Sequence, residues 1–179
     1  MHGLAYFGGI FFGPMKNEST HLEDITLVGI TARTSNEREM TPETAKIGGM
    51  VAAYFGGQLS EKILNRKTPG VTYAVYTDYE SDEHGEYTYF IGEAVESSEG
   101  QDTEVFEIIT IPAGAYQKFT TAAGQMPNVV IEAWQKIWGL GPADFGAKRS
   151  YLADFELYDK RALNPENTEA DIFIGIESN

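Results

Sequence analysis

The stretch YLADFELYDKR, residues 151 to 161, reads as a β-strand, yet it carries Asp154 and Glu156 among Leu152, Phe155, Leu157 and the tyrosines Tyr151 and Tyr158. A carboxylate among such groups is costly to bury unless something pairs with it. Two readings of Glu156 stay open on the residues alone: a solvated outer-face side chain, or an anion reserved for a ligand. In an apolar cleft, desolvation favours the neutral acid, and a bulky organic cation reverses that preference by bringing an opposite charge to short range. Aromatic faces around such a cation add about 0.5 to 2 kcal/mol each through cation–π contact.

Signals for other chemistry are thin. The three histidines, His2, His21 and His84, are scattered over a leader, a strand start and a turn, so no metal constellation is visible. The chain has no cysteine, which excludes a disulfide framework and a thiolate metal site. No G-x-S-x-G elbow occurs, and no glycine-rich loop follows a strand and opens a helix; GLGPADFG, residues 139 to 146, follows a helix instead. No catalytic residue, metal or cofactor is therefore assigned. Asp and Glu outnumber Lys and Arg by 27 to 13, for a net charge of -14, which disfavours direct nucleic-acid binding and anionic membranes. A cationic ligand or a basic protein partner fits that balance. A composition of 42% hydrophobic and 22% charged residues is that of a folded protein with one sizeable core, and no stretch approaches the ~18 apolar residues of a membrane span. A cytoplasmic protein is expected.

The elements that must position Glu156 repeat. ITLVGITART, from Ile25, reads as a strand, and TPETAKIGGMVAAYF follows as a helix with Thr41 as N-cap and Pro42 as its first residue. VTYAVYTDY and YTYFIGEAVE, joined by a polar turn, form a tyrosine-rich hairpin. The second half keeps the order. EVFEIITIPAGAYQKFTTA is a strand or strand pair bent at Pro112 to Gly114, PNVVIEAWQKIW is a helix opened by Pro127, and YLADFELYD and ADIFIGIE close the chain as strands. Phe90-Ile91-Gly92 recurs as Phe173-Ile174-Gly175, which suggests duplication. The expected fold is α+β: two β-α-β-β units, about 21–97 and 104–179, in a mainly antiparallel sheet with two main helices and a pocket on the pseudo-twofold seam. Residues 1–20 read as a leader or tag-like extension, with Met15-Lys16 as a candidate original start. Laying YAVYTDYE over YLADFELYD sets Asp78 opposite Glu156. Alternation puts Leu152, Asp154, Glu156 and Tyr158 on one strand face and Tyr151, Ala153, Phe155 and Leu157 on the other, and leaves open which face a helix covers. Trp134 and Trp138, four apart on one helix face, ordinarily mean core packing and can also line a pocket.

The segments PGVTYAVYTDYESDEHGEYTYFIG, IPAGAYQKF, DFELYDKR and ADIFIGIE together resemble the GyrI-like, or AraC-type, effector-binding domain family, and especially its stand-alone bacterial members, some carried on integron cassettes. The resemblance runs from His21 to the C-terminus. It implies a duplicated fold with a central cleft that binds amphipathic, cationic small molecules, with Glu156 at the cleft floor as counter-ion. Trp134, Trp138, Tyr76, Tyr89 and Phe155 are the implied aromatic walls. Val51 stands where stand-alone relatives often carry Trp on the first helix. The resemblance also admits a hydrolase reading, in which Glu156 with Tyr76 or Tyr89 would activate water. An acidic protein-interaction module is the remaining alternative, and exposed strand edges could support a homodimer.

Overall fold

β-branched and aromatic runs bounded by turn residues build eight strands: β1 (Lys16–Leu22), β2 (Ile25–Ser35), β3 (Thr72–Thr77), β4 (Glu86–Ala94), β5 (Glu107–Ile111), β6 (Gly114–Thr120), β7 (Arg149–Tyr158) and β8 (Asp171–Ile176). The computed structural model describes residues 15–178. The extension expected over residues 1–14 lies outside them. The strands form one antiparallel sheet in the order β1-β6-β8-β7-β3-β4-β2-β5. Exchanging β1 with β5, β2 with β6, β3 with β7 and β4 with β8 reverses that order onto itself, so the sheet is pseudo-twofold symmetric.

The chain is α+β and duplicated as expected, and each unit carries one further leading strand. That strand crosses to the other unit: β1 pairs with β6, and β5 pairs with β2. Residues 16–20, read from the sequence as part of a leader, therefore belong to the sheet. Their exposed, polar pattern KNEST hides them, because an edge strand needs little apolar surface.

Registering Phe90 with Phe173 fixes the equivalences in the middle of the sheet. Phe90 pairs with Val75, Phe173 with Phe155, and Val75 with Phe155 directly across β3 and β7. The twofold passes between Val75 and Phe155, so the counterpart of Glu156 is Tyr76, not Asp78. Asp78 has left the strand and sits at φ 48 in the turn.

Two longer helices cover one sheet face, α2 (Ile47–Gly56) over the first unit and α3 (Asn128–Trp138) over the second. Helix α3 begins after Pro127 and ends at Gly139, as its sequence signals require. Helix α2 starts later than Thr41, because residues 41–45 close a separate turn through Ala45 N–H to the Thr41 carbonyl at 2.9 Å. Its first N–H groups, on Lys46 and Ile47, donate to the Glu39 carboxylate at 3.0 and 3.2 Å, and Glu39 ends the short α1 (Asn36–Glu39). A carboxylate from a neighbouring helix thus does the work of an N-cap. On the opposite sheet face Leu27, Val75, Phe90, Tyr116, Phe155 and Phe173 are buried in a cluster made of strand residues alone. Among the described residues no helix is long and apolar enough to cross a membrane.

Candidate functional site

A cavity of about 510 Å³ opens on the helix-covered face, between α2 and α3 and across the pseudo-twofold seam. Glu156 lies in its wall, 4% exposed. Strand alternation with the register of β7 against β3 and β8 sets it there: Ala74 on one side and Ile172 on the other share its face.

Three neutral donors hold the carboxylate. Tyr76 Oη donates to Oε1 at 2.8 Å, Trp134 Nε1 to the same oxygen at 2.6 Å, and Tyr158 Oη to Oε2 at 2.5 Å. No cationic side chain among the described residues forms an ion pair with it. Burial pushes the Glu156 carboxyl above the usual range, and the three hydrogen bonds pull partly back. Desolvation, with Glu156 alongside, holds the Tyr76 and Tyr158 hydroxyls well above their ordinary value, so both remain neutral donors at physiological pH. The arrangement is an oriented carboxyl group that, among the described residues, meets neutral donors and no cation.

Aromatic rings surround it. Tyr76 is the hub, with ring centroids 5.1 Å from Trp134, 5.4 Å from Tyr89 and 5.5 Å from Tyr87, all edge-to-face. Trp138 stacks obliquely on Trp134 at 6.1 Å and is 39% exposed, so it stands nearer the mouth. Glu156, Trp134, Trp138, Tyr76 and Tyr89 all line the cavity, as does Val51. Gly48 lines it too, and a Cβ there would meet nothing within 4 Å.

Phe155 is a correction. As a neighbour of Glu156 on β7 it points through to the other face, where its ring stacks on Phe173 at 4.4 Å and 7° and it is 1% exposed. It belongs to the strand-only core. Replacing it by Leu is expected to cost about 1–2 kcal/mol of stability in chemical denaturation while leaving affinity for a cavity ligand unchanged; an affinity loss beyond the stability loss would return Phe155 to the wall.

Sequence reasoning left out Tyr158, Tyr87 and Arg149. Tyr158 was visible as the i+2 neighbour of Glu156 on the same strand face. Arg149 was not. Counting by twos places it on the face away from Glu156, but a bulge between Arg149 and Asp154, with Tyr151 at φ 51, returns it to the cavity side. Its Nη2 donates to Asp154 at 2.6 Å, and Asp154, fully buried, also accepts from Tyr79 Oη at 2.7 Å and Gly175 N–H at 2.9 Å. The Arg149 charge is therefore met by Asp154, and the half-buried Glu39 and Glu83 add further negative charge to the lining.

The fold is that of an effector-binding protein. Residues 20–176 match the integron-associated effector binding protein family Cass2, and the chain belongs to it. It is 30% identical over 158 residues to the putative transcriptional regulator protein YobU of Bacillus subtilis, a match covering 88% of this chain and 96% of that one. Among solved structures, an integron cassette protein from the mobile metagenome of Vibrio cholerae aligns with a TM-score of 0.70 at 28% identity, over 90% of this chain and 95% of the other. The protein SAV2435, solved bound to tetraphenylphosphonium, aligns at 0.71 and 22% identity, over 92% and 95% of the two chains.

Proposed function

We propose that this effector-binding protein is a cytoplasmic binder of amphipathic organic cations, with Glu156 as counter-ion and Trp134, Trp138, Tyr76 and Tyr89 as the aromatic walls. One observation carries the reading: a buried carboxylate, held by three neutral donors and lacking a cationic partner, in an aromatic cavity. An entering cation offsets the desolvation of Glu156, and the ring faces add cation–π attraction. A protein of the same fold holds tetraphenylphosphonium, which makes that ion the first probe. Its binding is expected to quench Trp134 and Trp138 saturably, while a neutral tetraphenyl analogue binds weakly. Equal binding of both would remove the counter-ion mechanism. Steady consumption of a reactive ligand would favour the hydrolase, and capture of a basic protein without ligand would favour the interaction module.

Burial also predicts a pH dependence. The folded pKa of Glu156 lies above its unfolded value, so its stabilising contribution to the unliganded protein is complete below the ordinary carboxylate range and lost as pH rises through the folded value. A cation needs the ionised form, so affinity runs the other way. It is expected to climb with pH by up to about tenfold per unit below the folded pKa and to level off above it. Titrations at stepped pH check this, and a flat profile would exclude Glu156 as the controlling group.

A further inference from the structure

The cavity holds a second carboxylate that the counter-ion reading leaves unused. Glu39 lines the wall on the side of the first unit and is half-buried, with Ala45, Ile47 and Gly48 beside it in the lining. Its oxygens accept from Thr34 Oγ1 at 2.5 Å and from the Lys46 and Ile47 N–H groups at 3.0 and 3.2 Å, all neutral donors. Among the described residues it forms no ion pair. The nearby cations are engaged elsewhere: Arg38 meets Glu86 at 2.7 Å, and Lys46 Nζ donates to the Arg33 carbonyl at 2.7 Å. Glu83, the third carboxylate of the lining, stands 3.9 Å from Arg149 and accepts from Tyr151. Three carboxylates thus face one guanidinium in the lining, and that guanidinium is met by Asp154. One monovalent cation at Glu156 leaves this excess of negative charge unanswered.

Tyrosines join the two unpaired carboxylates. Tyr76 donates to Glu156, its ring lies 5.5 Å from that of Tyr87, and Tyr87 Oη donates at 3.1 Å to Asn36, on the short helix that Glu39 ends. Register gives the span. Thr34 pairs with Tyr87 on β4, and Tyr89, two residues on, pairs with Tyr76 on β3, so Thr34 and Tyr76 share a sheet face. Two strand spacings across and two residues along set them roughly 12 Å apart. Each anchors one carboxylate, Thr34 that of Glu39 and Tyr76 that of Glu156. Both charges act on the wall between them. Burial first, and then the Glu39 and Glu156 carboxylates, hold the Tyr87 hydroxyl above its ordinary range, and burial followed by Glu156, with Glu39 adding to it, does the same at Tyr89.

We propose that the cavity selects organic dications whose two permanent charges stand roughly 12 Å apart, one beside Glu156 and the other beside Glu39. This deepens the reading of Glu156 as counter-ion and rests on it. A quaternary ammonium centre is held by charge at short range and asks for no hydrogen bond, so the donors from Thr34 and helix α2 stay on Glu39.

The test is calorimetric titration of the full chain with two matched pairs of ligands. The first pair is bis(trimethylammonio)octane, with one charge at each end of the chain, and the same molecule with one trimethylammonio group replaced by tert-butyl, which keeps the shape and removes one charge. The second pair has a butane chain, too short to reach both carboxylates. The wild type is expected to bind the octane dication about tenfold more tightly than its singly charged partner, as one partly screened charge allows, and to bind the two butane ligands about equally. In Glu39→Gln, which keeps an acceptor for Thr34 and the helix N–H groups but no charge, the octane ratio is expected to fall to about one. In Glu156→Gln the singly charged octane ligand is expected to lose affinity. Equal wild-type affinities within the octane pair, a ratio as large in the butane pair, or a preference that survives in Glu39→Gln would each overturn the proposal and leave the Glu156 reading standing. A singly charged ligand that binds Glu156→Gln as tightly as the wild type would overturn both. Should Glu39→Gln not fold, the wild-type ratios of the two pairs decide alone.

Discussion

Glu156→Gln weakens tetraphenylphosphonium binding on the order of a hundredfold while leaving a neutral analogue of the same size unaffected: that is the largest functional effect expected. Gln matches Glu in size and can still accept from Tyr76 and Trp134, so the substitution removes charge and little else. A unit charge about 5 Å from a cation, at an effective dielectric of about 20, is worth about 3 kcal/mol, which gives the hundredfold estimate. The same substitution should leave the unliganded fold at least as stable at neutral pH, because a buried carboxylate with a raised pKa is a cost once ionised. Tryptophan-fluorescence titration and urea denaturation of the two proteins measure both halves. Retained affinity in the variant would mean that apolar area alone holds the ligand and that Glu156 plays no part in recognition.

The largest stability effect is expected at Asp154. It is 0% exposed and accepts from Arg149, Tyr79 and Gly175. Asp154→Ala leaves the Arg149 guanidinium without its partner in the cavity wall, where breaking a buried pair costs about 3–5 kcal/mol. Arg149 also stacks on Tyr151, whose hydroxyl donates to Glu83 in the β3–β4 turn, so the loss reaches the turn that flanks the cavity. Replacing both partners, Asp154→Leu with Arg149→Met, should recover a large part of the deficit, since an apolar pair carries no uncompensated charge. Denaturation midpoints of the single and double variants read the difference. A single-variant loss below about 1 kcal/mol would show that Arg149 finds water and that the pair contributes little.

Between them these two carboxylates show how far strand alternation reaches. Asp154 and Glu156 are two apart on β7 and share a face, as counting by twos requires. Alternation assigned no purpose to that face, because it is mixed in polarity. One carboxylate is partnered by a cation and the other by neutral donors only, and the residues that make the difference, Arg149, Tyr76 and Trp134, lie on a bulge, another strand and a helix. The repeat lay open to inspection in Phe90-Ile91-Gly92 and Phe173-Ile174-Gly175. Its register was not, and aligning by wording set Asp78 against Glu156 where strand pairing sets Tyr76.

The α+β class, the duplication, the hairpins, helix α3 and the acidic balance were legible in the amino-acid sequence, and the resemblance added Glu156 with its tyrosine and tryptophan neighbours as candidates for a site. Those are properties of local periodicity and of residue type. Tertiary structure alone decided that β1 and β5 cross between units, that Glu39 caps α2 from another helix, that Phe155 faces away from the cavity, and that Arg149 faces into it. Each depends on which strand pairs with which, and in what register. A two-residue repeat fixes side-chain direction only until a bulge resets it, and pairing between distant strands leaves no mark on either one alone.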